Sequence, residues 1–237
     1  MTFTVSIPDD KNLDIIRETI KSSSATIFDL DGTILFSMKI WNIINTRFLG
    51  LYGIELTDDY TRVVRSMSSC HESASYTQSR YSIPLTPEQI IDKWNEIARD
   101  LYLSESHTPI RPGFEKLIDY LEKSEKLVGL ATNLTKELTK VVLDERGMRK
   151  YFKAAFSSFE VAHPKPHPDV YEACLSSLGI DGKDAVAIED TVTGAKAAIA
   201  CGMKVIGVYD EASHYLWAEL EKLCIGMVYD LASIIAE

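Results

Sequence analysis

From Thr108 to the end of the chain, short apolar runs alternate with amphipathic stretches of about ten residues, and few folds accommodate that rhythm. Lys126–Thr132 reads as a strand and is followed by a helical stretch, Thr135–Arg146, with Gly147 placed as its C-terminal cap. A strand near Ala154–Ser158 precedes a helix over Pro168–Leu178, closed by Gly179. Strand Ala185–Glu189 precedes helix Thr191–Cys201, closed by Gly202. Strand Lys204–Tyr209 precedes helix His214–Leu223. Strands joined through helices imply βαβ units, a parallel sheet and right-handed crossovers. Such a sheet binds ligands beyond the C-terminal ends of its strands, so residues that follow a strand are the first to inspect for chemistry.

A further strand lies upstream. The run Ala25–Leu30 is too short and too apolar for a surface helix and ends in an Asp-Gly turn, as a buried central strand would. Before it, Pro8-Asp9-Asp10 is expected to open a short helix with Leu13, Ile16 and Ile20 on one face, ended by Ser22-Ser23-Ser24. Between this strand and the alternating region, Ser37 to His107 contains no convincing strand. Met38–Leu49 carries Ile40, Ile43, Ile44 and Phe48 at helical spacing. Thr86-Pro87-Glu88-Gln89 is a capping box with proline at the first helical position, opening a helix with Ile90, Ile91, Trp94, Ile97 and Leu101 on its apolar face. The expected organisation is an α/β body formed by residues 1–36 and 109–237, with 1–23 as an extra N-terminal helix, and a helical cap over 37–108. Leu35–Met38 and Thr108–Gly113 would connect the two.

Charge and cysteine usage narrow the partners. Lys plus Arg number 25 against 35 Asp plus Glu, a net charge of −10. That balance argues against nucleic acid or an anionic membrane surface as a partner. An anionic substrate would need positive charge gathered locally. Cys70, Cys174, Cys201 and Cys224 are scattered and form no C-x-x-C pair, so they read as reduced, small apolar fillers. The first residues lack a basic stretch followed by an apolar one, and no apolar run reaches the roughly 18 residues of a membrane span. The expectation is a soluble cytoplasmic protein, monomeric or homodimeric.

Four constellations fall where strands end. Asp29-Leu30-Asp31-Gly32-Thr33 follows the first. An ionised aspartate can attack phosphorus, and a carboxyl two positions on points to the same side of an extended chain, where it could protonate a leaving alkoxide. Asp-Gly also simply ends strands. Thr132-Asn133 follows the second: a hydroxyl and the N–H groups opening a helix make an anion cradle, or merely a helix cap. Lys165 sits among three prolines in His163-Pro164-Lys165-Pro166-His167-Pro168, a point charge for phosphate or a solvated loop lysine. Glu189-Asp190-Thr191 offers carboxylate oxygens for Mg²⁺ together with Asp29, unless Asp190 or Thr191 only caps the next helix.

Nucleophile, hydroxyl, lysine and metal carboxylate in this order, each at a strand end, resemble the haloacid dehalogenase superfamily of phosphohydrolases. Further matches are Arg111-Pro112-Gly113, Lys165-Pro166-x-Pro168-Asp169-x-Tyr171 and Ala200-Cys201-Gly202-Met203. The helical insert resembles the cap of the subgroup that includes phosphoglycolate phosphatase and β-phosphoglucomutase. The resemblance implies a Rossmann-like parallel sheet core with a helical cap inserted after the first strand. It implies Asp29 as nucleophile and Mg²⁺ ligand, and Asp31 as general acid/base with its carbonyl on the metal. Thr132, Asn133 and Lys165 would bind phosphate, and Asp190 would ligate Mg²⁺ with Glu189 in support. The implied activity is a Mg²⁺-dependent phosphatase of a small phosphorylated metabolite. A hexose-phosphate mutase and a non-catalytic regulatory protein are the alternatives. Departures from the pattern are Phe36, where many relatives have an acid, and Trp41, where the mutase branch has a histidine. Arg62, Arg65, His71 and Arg80 are candidates for reading a second anionic group from the cap.

Overall fold

The structure is a computed structural model that describes residues 6–235 apart from 66 and 68. Its framework follows from one strand. All four residues of β1 (Ala25–Phe28) are buried, so β1 needs a neighbour on each edge and a layer on each face. Its edges pair in parallel with β2 (Leu127–Thr132) and β4 (Ala185–Glu189), placing Phe28 opposite Leu130 and Ile188. With β3 (Ala154–Ser157), β5 (Lys204–Val208) and β6 (Gly226–Val228) the sheet runs β3-β2-β1-β4-β5-β6, every pair parallel. The chain winds outward from β1 in one direction through β2 and β3, then returns to the other side for β4. That reversal opens a crevice at the C-terminal ends of β1 and β4. Asp29 is the residue after β1 and Asp190 the residue after β4, so topology alone puts both at its floor.

Helices α6 (Phe114–Lys123), α7 (Lys136–Glu145), α8 (Asp169–Leu178) and α9 (Val192–Ala200) clothe the sheet. Two expected elements differ and one strand is additional. The helix expected to open at Pro8 begins later, as α1 (Leu13–Ser22), because the backbone before it pairs with the sheet edge: Lys11 and Met227 exchange N–H···O bonds of 2.8 and 3.2 Å. The stretch expected as one helix over His214–Leu223 is a 3₁₀ run, Glu211–Leu216, and then a single α turn, α10 (Trp217–Leu220). Asp210 tightens it, its side chain accepting from Ala212 N–H at 2.9 Å and its carbonyl from the Trp217 indole at 3.1 Å. Strand β6 is three residues long, below what alternation can reveal. The four cysteines are free. No described helix is long and apolar enough to cross a membrane.

Between β1 and β2 the chain forms α2 (Ile40–Gly50), α3 (Asp58–Arg65), α4 (Cys70–Tyr81) and α5 (Pro87–Leu103). The capping box forms as the sequence suggests: Thr86 Oγ1 accepts from Gln89 N–H at 3.3 Å and Gln89 Oε1 from Thr86 N–H at 2.9 Å. From that start α5 turns Ile90, Trp94, Ala98, Leu101 and Tyr102 inward. Trp94 meets Phe48 of α2 edge-on at 5.9 Å. Each large aliphatic side chain buried there, such as Ile90 or Leu101, contributes about 1.5–3 kcal/mol of apolar burial. The C-terminal end of α5 is tied to the sheet layer by Arg146 Nη1, which donates to the carbonyls of Tyr102 (3.0 Å) and Thr108 (2.7 Å). The helical segment thus stands over the crevice with its last helix anchored at one end.

Candidate active site

A cleft of about 470 Å³ lies between the strand ends and the helical segment. Asp29, Asp31, Asn133 and Lys165 line it from below; Trp41 and Trp94 line it from the helices. Arg111, fully buried, fixes the loop after β1 that carries the two aspartates. It donates to the carbonyls of Thr33 (2.7 Å), Gly32 and Tyr209 (3.0 Å), and its guanidinium stacks on Phe36 at 4.3 Å. Gly32 is required in that loop twice over: its φ is +81°, and a Cβ there would lie 2.1 Å from Asp190 Oδ2.

Lys165, almost wholly buried, organises the floor. Its three N–H bonds go to Asp29 Oδ1 (2.7 Å), Glu189 Oε1 (2.6 Å) and the Ala131 carbonyl (3.0 Å). Burial alone would pull its pKa down, but the Asp29 and Glu189 carboxylates outweigh it and hold the ammonium charged. Glu189 is saturated. Lys165 and the Tyr171 hydroxyl (3.0 Å) share Oε1, while Asp190 N–H (3.1 Å), Thr191 N–H (3.1 Å) and Thr191 Oγ1 (2.9 Å) converge on Oε2. Asp190 is the opposite case. Its Oδ1 has one long bond from Thr33 Oγ1 (3.3 Å), and its buried Oδ2 has no partner. The helix cap after β4 is Thr191, whose Oγ1 accepts from Gly194 N–H at 3.1 Å, so capping does not explain Asp190.

One carboxylate oxygen each from Asp29, Glu189 and Asp190 lies within 4.8 Å of the others. Burial pushes Asp29 and Asp190 well above the usual carboxylate range, in Asp29 against the opposing pull of Lys165, and the neighbouring acids add to the rise in both. Three buried acids against one lysine leave an excess of negative charge that a hard cation would neutralise.

Asp31 is set apart from this cluster. Its Oδ1 accepts from Ser37 Oγ (2.5 Å) and from Tyr102 OH (2.6 Å). Burial raises its pKa, opposed by those two hydrogen bonds. Burial and the Asp31 charge raise the Tyr102 phenol well above its ordinary value, which keeps it a donor. Neither Ser37 nor Tyr102 stands out in the sequence. Tyr102 is 71 positions from Asp31, and only the packing of α5 brings them together.

The other candidates separate. Thr132 is fully buried; its Oγ1 accepts from Leu134 N–H at 3.2 Å and braces the turn that presents Asn133 to the cleft. Asn133 Oδ1 accepts from Ser158 Oγ at 2.6 Å. The cap of the following helix is Thr135, not Thr132. Arg62, His71 and Arg80 do not line the cleft. Arg62 and Arg80 pair with Asp59 at 2.6 and 3.0 Å, and His71 meets Glu88 at 3.1 Å, all on the outer surface. These residues find partners locally, which satisfies them where they stand. The side chain of Arg65 lies outside the described residues. His163 caps its own loop through Asp169 at 3.0 Å.

Residues 26–208 match the haloacid dehalogenase-like hydrolase family, and the chain belongs to that family. It is 27% identical to hexitol phosphatase B of Escherichia coli K12 over 78% of this chain and 82% of that protein. It is 27% identical to the fructose-1-phosphate phosphatase of the same strain, over 77% of this chain and 94% of the relative. Its fold superposes on a β-phosphoglucomutase from Clostridium difficile with a TM-score of 0.72 at 21% identity, covering 89% and 92% of the two chains.

Proposed function

We propose that this enzyme is a Mg²⁺-dependent phosphatase that hydrolyses a small sugar or polyol phosphate through an aspartyl-phosphate intermediate. The observation that carries the reading is Asp29 on the cleft floor, held by Lys165 beside the partnerless Oδ2 of Asp190. A nucleophile, a buried cation and an open carboxylate are what phosphoryl transfer asks of a protein, since it is mostly positioning and charge neutralisation. The phosphatase relatives of sugar and polyol phosphates support the substrate class.

The residues fit a divalent cation. The donors are all oxygen, and Asp190 Oδ2 is buried with nothing to accept from. Asp29 and Asp190 would hold Mg²⁺, with the Asp31 carbonyl beside them. Glu189, already engaged by five donors, would act mainly by fixing Lys165. A bound Mg²⁺ would offset the charge of nucleophile and phosphoryl group. Asp29 then attacks phosphorus as the ester P–O bond breaks, and Asp31 gives its proton to the departing oxygen. Water next attacks the aspartyl phosphate, and Asp31 takes the water's proton, restoring both carboxyls. Lys165 and Asn133 face the phosphoryl oxygens.

Hydrolysis is favoured over mutase chemistry by the cleft walls. Among the described lining residues the cations are Lys165 and Lys196, and Lys196 is paired with Glu219 at 3.1 Å. That arrangement suits one phosphoryl group better than two. Trp41 faces the cleft with an indole N–H that donates only. The test is phosphate release from sorbitol 6-phosphate, fructose 1-phosphate and 4-nitrophenyl phosphate, with Mg²⁺ and with EDTA. Release should need Mg²⁺ and vanish in Asp29→Asn, an isostere that cannot attack phosphorus. A tenth of wild-type activity in that variant would sink the assignment. Isomerisation of β-glucose 1-phosphate outpacing hydrolysis tenfold, when primed with glucose 1,6-bisphosphate, would favour the mutase reading.

A further inference from the structure

Two hydroxyls converge on one oxygen of Asp31. Ser37 and Tyr102, both fully buried, donate to Oδ1 at 2.5 and 2.6 Å. Among the described residues nothing bonds Oδ2, and Asp31 lines the cleft. A carboxyl oxygen has two lone pairs, and on Oδ1 both are taken. In the acid form the proton therefore sits on Oδ2. A carboxyl with neither donor would place its proton on either oxygen and turn freely about χ2.

We propose that Tyr102 is a positioning residue of the acid step: with Ser37 it fixes the Asp31 carboxyl so that the proton is presented from the open oxygen. The inference rests on the phosphatase reading above. The balance is simple. The proton leaves Asp31 Oδ2 for the ester oxygen as the P–O bond breaks and the bond to Asp29 forms; the product departs as a neutral alcohol and Asp31 is left as carboxylate, still held through Oδ1. Tyr102 neither gains nor loses a proton. Its helix also carries Trp94, two turns earlier on the same buried face, to the cleft wall. One rigid element thereby lines the leaving-group side and holds the acid, so the seating of the leaving group and the aim of the proton are fixed together.

A phenol that is merely satisfied in the core would affect stability and all substrates alike. A positioning residue for the acid affects the substrates that need one. An alkoxide leaves badly without a proton, whereas 4-nitrophenolate leaves unaided. The experiment measures kcat/KM, which reports steps through phosphorylation, for wild type, Tyr102→Phe and Ser37→Ala with Mg²⁺. The substrates run from 4-nitrophenyl phosphate through phenyl phosphate to sorbitol 6-phosphate. In Tyr102→Phe the alkyl phosphate should lose about 10–100-fold and the 4-nitrophenyl ester under threefold. Ser37→Ala should steepen the dependence in the same direction, and it carries the test should Tyr102→Phe fail to fold. Equal losses for all leaving groups in the folded variants, or no loss in either, overturn the proposal while leaving the phosphatase reading intact. No phosphate release from any ester by the wild type overturns that reading, and this inference with it.

Discussion

Replacing Asp190 by asparagine should make the metal-free protein more stable while destroying its activity. One carboxylate oxygen each of Asp29, Glu189 and Asp190 lies within 4.8 Å of the others. At an effective dielectric of about 20, two unit charges at that distance repel by about 3.5 kcal/mol. Lys165 touches Asp29 and Glu189 and has no bond to Asp190. The Asp190 charge therefore meets two unfavourable neighbours, its own desolvation and the partial relief of Arg111. Partial protonation already escapes some of the cost, so the net gain from an isosteric amide should be about 1–3 kcal/mol, less than one full pair repulsion. For a chain of this size 1 kcal/mol moves the melting temperature by about 2–4 °C, which puts the expected rise at roughly 2–12 °C in EDTA. The pH dependence gives a second handle. Burial and its acidic neighbours raise the folded-state pKa of Asp190 well above its unfolded value. Its contribution is complete at low pH and is lost as pH climbs through the folded value. The advantage of Asp190→Asn should accordingly be small near pH 4 and widen towards pH 8. Millimolar Mg²⁺ should raise the melting temperature of the wild type and close the gap, while doing much less for the variant. Thermal melts with and without EDTA decide it. A variant no more stable than wild type in EDTA at alkaline pH, or one that gains as much from Mg²⁺, would show that the acids are not in conflict and do not hold a cation together.

Lys165→Met should lower kcat/KM by about 10²–10³-fold, the usual loss when one preorganised donor is removed from a developing anion, and should also lower the melting temperature because two carboxylates lose their shared cation; near wild-type kinetics would return Lys165 to a structural role. Gly194→Ala separates packing from propensity. Alanine favours a helix by about 1 kcal/mol over glycine, but a Cβ here would lie 1.7 Å from Glu189 Oε1. The variant should melt lower and lose at least tenfold in kcat/KM as Glu189 and then Lys165 shift; a higher melting temperature would mean that the close approach is not felt.

The legible part of this molecule is the part governed by the strands. Each strand ends in residues whose chemistry contrasts with its apolar body, and a parallel sheet gathers strand ends by construction. Asp29 and Asp190 thus meet because β1 and β4 are neighbours at the reversal, and Lys165 joins them although 136 positions separate it from Asp29. Adjacent competing readings were resolved by caps. Thr135 and Thr191 cap the N-terminal ends of the helices that follow β2 and β4, which frees Thr132 and Asp190 from that duty. Arg62, Arg80 and His71, candidate readers of substrate, are held on the outer surface by local partners: Asp59 lies three residues before Arg62 and within reach of Arg80, and Glu88 meets His71, and pairing of this kind leaves no trace in a motif. Helices α3 and α4 carry no legible period because their surfaces are polar, with few apolar positions to set one.

What the sequence could not show is the second environment within the site. Asp29 and Asp31 stand two residues apart at the end of one strand, and a motif treats them as a pair. The fold separates their circumstances. Asp29 is bonded to an ammonium and crowded by other acids; Asp31 is bonded to two hydroxyls through Oδ1, and among the described residues nothing bonds its Oδ2. Acid and nucleophile roles for two like carboxyls require such a difference of surroundings. Here one set of partners comes from the sheet layer, through Lys165 and Glu189. The other comes from beyond it, through Ser37 in the first connection and Tyr102 at the end of α5. The helical segment is therefore more than a wall above the cleft: without its last helix Asp31 would keep its place in the loop but lose one of the two hydroxyls that orient it. Specificity and acid catalysis would then be coupled through one element, so substitutions in the core of α2–α5 that shift α5 should register first in the turnover of substrates with poor leaving groups.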